Sequence, residues 1–331
     1  MMKRIKILFW LSLLSAIALA VWFAYYAVTP LKLQPQSQEV TIEAQSSLKS
    51  VAKQLVAQGV LPEPWRFIIL AKMFKKEASL QSGNYTLNKN ISPYQLLLSL
   101  NNGKTTQGSI TFIEGHVFDK MREKLARNEA VKKTTTGWTD EEILRFLSSE
   151  YKVAEGLFFP DTFYFDRGAS DMQILQRSYS IMQKKLDQAW QNRAPNLPYK
   201  TPYEALIMAS IIEKETGKAS ERPMIAGVFI NRLRIGMRLQ TDPTVIYGIG
   251  KSYDGNIRKK DLLTDTPYNT YTRNGLPPTP IAMPGLAAIE AALHPADTKA
   301  LYFVGKGDGS HVFSNNLTAH SQAVSKYQLK Q

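Results

Sequence analysis

The chain has 331 residues, with 41 Lys and Arg against 28 Asp and Glu, no Cys and 4 His. Its 44% hydrophobic and 21% charged residues are typical of a globular chain and exclude an intrinsically disordered one. The absence of Cys excludes disulfide scaffolds, thiol nucleophiles, iron–sulfur clusters and Cys-type zinc sites. The net charge of +13 predicts an anionic partner: nucleic acid, a membrane surface or an acidic polymer.

The first segment is apolar enough to cross a membrane. Residues 7–28 contain no charged side chain, and about 20 apolar residues span a bilayer as a helix. Positive charges precede it, on Lys3, Arg4 and Lys6. The positive-inside rule therefore puts residues 1–6 in the cytoplasm and the rest of the chain outside. A cleaved signal peptide is the alternative, because Ala18-Leu19-Ala20 forms a cleavage site. We favour a retained anchor, and with either topology nucleic acid is not expected as a partner.

Two further segments separate this anchor from the larger part of the chain. Residues 29–38 contain two prolines and are expected to form a short extended stalk. Residues 39–104 read as strand, helix, helix and strand followed by a further helix, with Pro62 and Pro64 between the first two helices. This order resembles a LysM-like module, a fold that commonly holds glycan chains. A small α+β spacer is the alternative interpretation.

Residues 105–331 are predicted to form one larger α+β domain. The predicted helices lie at 139–150, 171–191, 202–216, 221–235 and 285–294. Short strands are predicted at 109–113 and 301–304, and Gly and Pro punctuate the chain heavily between 241 and 310. The expected fold class is therefore α+β, with an N-terminal transmembrane helix, a small LysM-like module and a larger catalytic domain.

The predicted helix at 202–216 carries a carboxylate among apolar residues. Apolar side chains fall almost all round this helix, which predicts that it is buried. At about 100° per residue, Glu213 lies roughly 20° from Leu206 and 40° from Ala209. Burial disfavours the carboxylate anion, so we expect a raised pKa for Glu213, and a carboxyl that stays protonated can act as a general acid. The alternative is a helix-end Glu that meets water or pairs with an Arg. Glu215 points about 160° away, so the two do not form a dyad.

Five stretches of sequence together resemble one enzyme family. ASIIEKET at 209–216 resembles the catalytic helix of the endolytic murein transglycosylases, the MltG/YceG-like family. The other stretches that fit this family stand in the expected order: EGLFFPDT at 155–162, LQTDPTVIYG at 239–248, PYNTY at 267–271 running on to GLPPTPIA at 275–282, and GDG at 307–309 with His311. Together the stretches are specific and extend over nearly all of 105–331.

The resemblance implies a peptidoglycan lytic transglycosylase, a carbon–oxygen lyase that cuts the MurNAc–β-1,4–GlcNAc bond within nascent glycan strands. An ordinary glycosidase needs two carboxyl groups. Here the C6 hydroxyl of the sugar is the implied nucleophile, so Glu213 would act first as acid and then as base, leaving a 1,6-anhydro-MurNAc end. The implied location is the bacterial cytoplasmic (inner) membrane, crossed once, with a periplasmic or extracytoplasmic catalytic domain. The implied partners are glycan strands, the membrane and peptidoglycan synthases, without a cofactor.

Further residues are weaker candidates for this site. Polar and aromatic groups suited to sugar hydroxyls, N-acetyl groups and ring faces are Gln240, Asp242, Thr244, Tyr268, Asn269, Thr270 and Tyr271. Loop architecture is the alternative for each, because turns and Pro-flanked corners use the same residue types. Supporting candidates are Glu215, which would pair with Arg222 or Arg232, Arg232 itself, Glu155 and His311. With no H-E-x-x-H motif and scattered His residues, we predict no metal site.

Two other functions are compatible with these patterns. A hydrolytic muramidase would use Asp242 or Asp161 as a second carboxylate beside Glu213. A non-catalytic, membrane-anchored protein would bind glycan through the LysM-like module. The end group of the cleaved glycan separates the first alternative from a transglycosylase, and substitution of Glu213 separates the second.

Overall fold

A computed structural model describes residues 2–31, 33, 37–43, 46–76, 80–88, 90–103 and 107–328. Contacts within the chain define two compact units. The first unit comprises Met1–Gly108 and Tyr164–Gly168, and the second comprises Ser109–Phe163 and Ala169–Gln331. The predicted boundary at residues 104 and 105 stays a prediction.

The first unit begins with the long apolar helix and continues as a small mixed module. Its elements are α1 (Met2–Val28), β1 (Ser37–Ile42), α2 (Leu48–Ala57), α3 (Pro64–Met73), β2 (Gly83–Asn88) and α4 (Pro93–Asn101). Strands β1 and β2 pair antiparallel, with Val40 opposite Tyr85. In the part of the chain that the structure describes, α1 is the one helix long and apolar enough to span a membrane, over Trp10–Val28. The strand–helix–helix–strand order is the one read from the sequence.

Serine caps and apolar spacing explain the helices of this module. The Ser47 side chain accepts a hydrogen bond from the Ser50 N–H at the start of α2, and Ser92 and Gln95 form a capping box at the start of α4. Leu31 and Leu33 are buried in the module's core, and the Leu31 N–H donates to the Ile91 carbonyl at 2.9 Å. The described part of the segment predicted as a stalk therefore packs with the module. Residues 32 and 34–36 of that segment lie outside the described residues.

The chain after α4 is mostly helical, with short two-stranded sheets. In chain order the elements that follow α4 are β3 (Gln107–Thr111), α5 (Phe118–Arg127), α6 (Asp140–Phe146), β4 (Thr162–Asp166), α7 (Asp171–Gln191), α8 (Pro202–Glu215), α9 (Arg222–Arg234), α10 (Asp242–Ile249), α11 (Lys259–Leu263), α12 (Leu286–Leu293), β5 (Tyr302–Gly305), β6 (His311–Ser314) and α13 (Leu317–Tyr327). Strand β3 pairs with β4, and β5 pairs antiparallel with β6. Mixed helices and small sheets confirm the α+β class.

Two local differences from the predicted elements have clear causes. Helix α6 ends at Phe146 instead of 150, because Ser148 takes a positive φ of 55°, which ends the helical path. Helix α10 lies in the Gly- and Pro-rich stretch, outside the helices that the sequence predicted. It begins at Asp242 with Pro243 in its first turn, where the missing N–H costs nothing, and Gly250 with φ 62° follows it.

Helix α8 lies at the centre of the second unit. Thr201 caps its first turn, and every residue from Ala205 to Ile212 is buried. It packs against α7, α9, α10 and α12. The apolar surface all round this helix is therefore covered, as its sequence predicted.

Truncating the core of α8 should unfold the unit that holds it. Ile212→Ala removes a fully buried side chain and should cost about 2–5 kcal/mol of unfolding free energy, because it leaves a cavity. Ile235→Ala, at an exposed position, should change stability by less than about 0.5 kcal/mol. Urea denaturation followed by near-UV circular dichroism measures both. Equal small effects would contradict the central position of α8.

Candidate active site

The Glu213 carboxyl lies near the end of α8, in contact with two other segments. Only 6% of its side-chain surface is exposed. Arg222 Nη2, from the first residue of α9, lies 3.0 Å from Glu213 Oε1. The backbone N–H of Gly285, which caps α12, donates to Glu213 Oε2 at 3.0 Å. One guanidinium and one backbone amide therefore hold the two carboxyl oxygens.

The surroundings of Glu213 raise the pKa of its carboxyl. Burial is the largest cause, because removal from water penalises the charged form. The Gly285 N–H, Arg222 and Lys214 act in the opposite direction, and the nearby Glu114 charge adds to the increase. The net direction is upward, in agreement with the pKa expected from the sequence.

The loop between β3 and α5 lies against this carboxyl. The Gly115 N–H donates to the Met283 carbonyl at 2.9 Å, and the Met283 N–H donates to the His116 carbonyl at 2.9 Å. Lys214 Nζ donates to the Gly115 carbonyl at 3.2 Å. These bonds join the loop to the segment before α12 and to the end of α8.

The same loop brings a second carboxylate to the site. Glu114 packs so closely against Gly285 that a Cβ on this glycine would lie 1.9 Å from Glu114 Oε1. Since the Gly285 N–H binds Glu213, the two carboxyl groups converge on one residue.

Sequence reasoning did not select Glu114, Arg222 or Gly285 for the site around Glu213. The Glu-Gly pair directly after a predicted strand was the only local signal, because the other contacts join distant segments.

A groove of about 480 Å³ adjoins this site. Lys185 from α7, Glu290 and His294 contribute to its lining, together with Arg222. Because Arg222 also binds Glu213, it connects the groove to the buried carboxyl.

Glu215 lies on another side of α8 from Glu213, and the second supporting residue, Arg232, lies on α9. Glu215 accepts a hydrogen bond from the Thr241 hydroxyl, and burial raises the pKa of Glu215 to about 7. The expected pairing with Arg222 is wrong, because that guanidinium binds Glu213. Arg232 donates instead to backbone carbonyls, from Nε to Leu301 at 2.7 Å and from Nη1 to Leu239 at 2.6 Å. The positive charge of Arg232 acts to lower the pKa of Glu215, against the larger effect of burial.

The seven candidate glycan-binding residues lie together at the start of α10 and in the segment after α11. Three of them are buried and have internal partners. Thr244 Oγ1 lies 2.8 Å from Thr270 Oγ1, and Asn269 Nδ2 donates to three backbone carbonyls of residues 261–264. Their side chains therefore shape the segment from inside.

The other four candidates are exposed or half-buried. Tyr271 donates its hydroxyl proton to Asp242 Oδ1 at 2.5 Å, and the Tyr268 hydroxyl lies 2.9 Å from Thr279 Oγ1. Gln240 is exposed, and its backbone has a positive φ of 47°, an uncommon conformation for a residue other than glycine. The hydrogen bond from the Thr241 hydroxyl links this segment to Glu215. The groups that bind Glu213 come from other segments, at Arg222 and Gly285.

Glu155 and His311 each have a defined partner. Glu155 is buried and accepts the Phe118 N–H at the start of α5, 3.1 Å from Oε1, so it caps a helix that lacks a side-chain cap of its own. Burial raises the pKa of Glu155 to about 8. His311 Nδ1 lies 2.7 Å from Glu221 Oε2, just before α9.

Comparison with known proteins identifies the family to which this arrangement belongs. A model of the YceG-like family matches residues 40–326, which is most of the chain. The chain belongs to the YceG-like family. The resemblance read from the sequence is thereby confirmed.

Two relatives and one solved structure show how similar this chain is to other members of the family. The endolytic murein transglycosylase of Bacillus subtilis (strain 168) is 32% identical over 310 residues, which cover 87% of this chain and 84% of the relative. The protein of the same name from Streptococcus pneumoniae serotype 2 (strain D39) is 28% identical over 98% of this chain, which spans 64% of that relative. A 2.6 Å crystal structure of a putative YceG-like protein from Listeria monocytogenes has a TM-score of 0.55 and 29% identity, covering 87% of this chain and 98% of its own.

The raised pKa of the buried Glu155 carboxyl predicts that the free energy of unfolding depends on pH. The pKa is about 8 in the folded protein against an ordinary value of 4.5, so the free energy of unfolding falls as the pH rises between these values. Glu155→Gln cannot ionise and should gain about 2–4 kcal/mol relative to wild type between pH 5 and pH 8. Urea denaturation at both pH values measures the difference. Glu123→Gln, on the exposed surface of α5, is the control, and a pH-independent effect of Glu155→Gln would contradict the assignment.

Proposed function

We propose that this chain is an endolytic murein transglycosylase that cuts the MurNAc–β-1,4–GlcNAc bond within peptidoglycan glycan strands. The observation that carries the proposal is the carboxyl of Glu213, kept from water and held by Arg222 and the Gly285 N–H. One buried acid with a raised pKa fits a reaction in which the substrate supplies its own nucleophile. Family membership and the names of the relatives support the same reaction.

Glu213 acts as the general acid in the first half of the reaction. Its carboxyl proton passes to the glycosidic oxygen as the bond from that oxygen to C1 of MurNAc breaks, and GlcNAc leaves with a new hydroxyl. Positive charge develops at C1 while Glu213 becomes a carboxylate. Arg222 and the Gly285 N–H stabilise this anion and fix its oxygens, while Glu114 adds a negative charge close by.

The same carboxylate is the base in the second half. It takes the proton from the C6 hydroxyl of MurNAc as O6 bonds to C1, which closes the 1,6-anhydro ring. Glu213 is then protonated again, so the cycle needs no water and no second carboxyl. This balance explains why one residue with a raised pKa suffices.

The glycan strand is held by the exposed residues near Glu215 and by the groove beside Arg222. Gln240, Asp242, Tyr268 and Tyr271 offer amide, carboxylate and hydroxyl groups to sugars. Thr244, Asn269 and Thr270 shape this segment from inside, and Glu215 fixes its start through Thr241. Arg232 supports the segment from α9 through the Leu239 carbonyl. Glu155 and His311 have supporting roles elsewhere in the fold, at the start of α5 and just before Arg222.

The chain acts next to the bacterial cytoplasmic membrane, with α1 as a single-pass anchor and the catalytic domain outside. A signal sequence has the same length and apolar character as α1. Retention is supported by the continuity of α1 through Ala18-Leu19-Ala20 and by the packing of Phe23 and Ala27 against the module's core. The order of β1, α2, α3 and β2 supports a LysM-like module. Peptidoglycan synthases are the proposed protein partners.

The two alternative functions find less support. The two carboxylates that a muramidase was expected to use have other partners: Asp242 accepts the Tyr271 hydroxyl, and Asp161 Oδ1 accepts the N–H of its neighbour Thr162 at 2.7 Å. A protein that only binds glycan leaves the buried carboxyl without a role, and the named relatives are enzymes.

Removing the acid should abolish cleavage without unfolding the chain. Glu213→Gln keeps the size of the side chain and should lower kcat by about 10²–10⁴-fold, the usual contribution of a general acid. Turnover of purified glycan strands by the full-length enzyme measures this. Glu204→Gln, near the other end of α8, should retain activity. Equal activity of wild type and Glu213→Gln would exclude this residue as the acid, and mass spectrometry of reducing MurNAc ends in place of anhydro ends would favour hydrolysis.

Two charge substitutions should move the pH profile in opposite directions. The alkaline limb of kcat/KM reports loss of the proton from Glu213. Arg222→Gln removes the cation that lowers the pKa of Glu213, so this limb should move to higher pH. Glu114→Gln removes the anion that raises the pKa, so the limb should move to lower pH. Arg222→Gln should also lower the rate, because Glu213 loses a partner that fixes its position. If the alkaline limb moved in the same direction in both variants, the group that titrates in this limb would not be Glu213.

A further inference from the structure

The outer face of α3, formed by Trp65, Ile69 and Met73, is apolar and exposed. The exposed fractions of these residues are 47%, 41% and 65%. Their spacing of four residues places them in one row, while Phe67, Leu70 and Ala71 bury the opposite face in the module's core. The helix is therefore apolar on two faces, and the first unit covers one of them. A contiguous exposed row of this kind marks an interaction surface.

This row begins at the predicted membrane anchor. The ring of Trp65 stacks on that of Trp22 of α1, with 6.3 Å between ring centroids and 24° between planes. Trp22 lies six residues before Val28, the last residue of the candidate span, which corresponds to about 9 Å along a helix. With α1 as the anchor of the proposed function, Trp65 lies at the depth of Trp22 near the outer end of the span, where tryptophan is enriched.

Basic side chains border the same row. The guanidinium of Arg66 lies 5.0 Å from the ring centroid of Trp22 and 5.1 Å from that of Tyr26. Lys72 lies at the edge of the row, about 20° from Trp65 on the helical wheel, and Lys75 lies two residues after the last residue of the helix; both are exposed. Apolar residues with flanking Lys and Arg are the pattern of helices that lie in the surface of an anionic membrane.

We propose that the outer face of α3 is inserted into the headgroup region of the outer leaflet, with Lys72 and Lys75 on anionic lipid phosphates. This proposal rests on the membrane anchor of the proposed function and adds a second lipid contact to it. The module would then be seated on the bilayer through α3, in addition to its covalent link to α1. A soluble spacer or a module that only grips glycan has no need of this apolar row.

Spin labels at single cysteines test the proposal in the full-length protein. Because the chain contains no Cys, each substitution creates one labelling site. Nitroxides at Met73→Cys, at Leu14→Cys in the span and at Lys53→Cys on exposed α2 are compared in vesicles of phosphatidylethanolamine and phosphatidylglycerol. The accessibility of each nitroxide to oxygen and to a water-soluble nickel chelate gives its depth.

The three labels separate the outcomes. We expect Leu14 in the hydrocarbon, Lys53 in water, and the Met73 label about 5–10 Å into the headgroup and acyl boundary, with at least about fivefold lower nickel accessibility than Lys53. A deep Leu14 label with a Met73 label as accessible as Lys53 would overturn insertion of α3 and leave the anchor intact; the row would then suit a protein partner. A water-accessible Leu14 label would overturn the anchor, and the insertion of α3 with it.

Discussion

The second unit depends on a conflict between burial and charge at the end of α8. This helix is apolar on all sides and must be covered by its neighbours α7, α9, α10 and α12. The covering elements leave Glu213 almost without water. A buried carboxylate without partners would be costly, and the fold supplies Arg222 and the Gly285 N–H. The partners do not cancel the effect of burial, so the pKa of Glu213 remains raised.

The site is built by joining loops to a rigid helix. The Glu213 side chain projects from a helix whose residues from Ala205 to Ile212 are all buried, and the loop that carries Glu114 is bonded twice to the segment before α12. A general acid must keep its position through two proton transfers, which a buried helix ensures. The groups proposed to hold sugar lie on exposed turns around α10 and α11, where side chains can reach a long polymer.

Charge near the membrane bears on how the proposed enzyme is kept in place. In the proposed topology Lys3, Arg4 and Lys6 orient the anchor, and Arg66 and Lys72 of α3 border the exposed apolar row. A lytic enzyme for nascent glycan must stay where strands are made. The proposed seating of the module on the bilayer would strengthen that restriction through a second lipid contact, independent of the chemistry at Glu213.

The sequence by itself indicated the main helices and one candidate acid. Helical periodicity, serine caps and prolines are local signals, so α7, α8 and α9 were predicted to within a residue or two, and Glu213 was selected from its apolar neighbours on the helical wheel. Only the tertiary structure decided the partners of that acid, because Glu114, Arg222 and Gly285 lie on segments far apart in the chain. For the same reason the sequence could not show that Thr244, Asn269 and Thr270 are buried. Residue type does not reveal whether a polar side chain faces a sugar or a backbone carbonyl. Periodicity reports which face of a helix is apolar, whereas contacts between distant segments fix what covers that face.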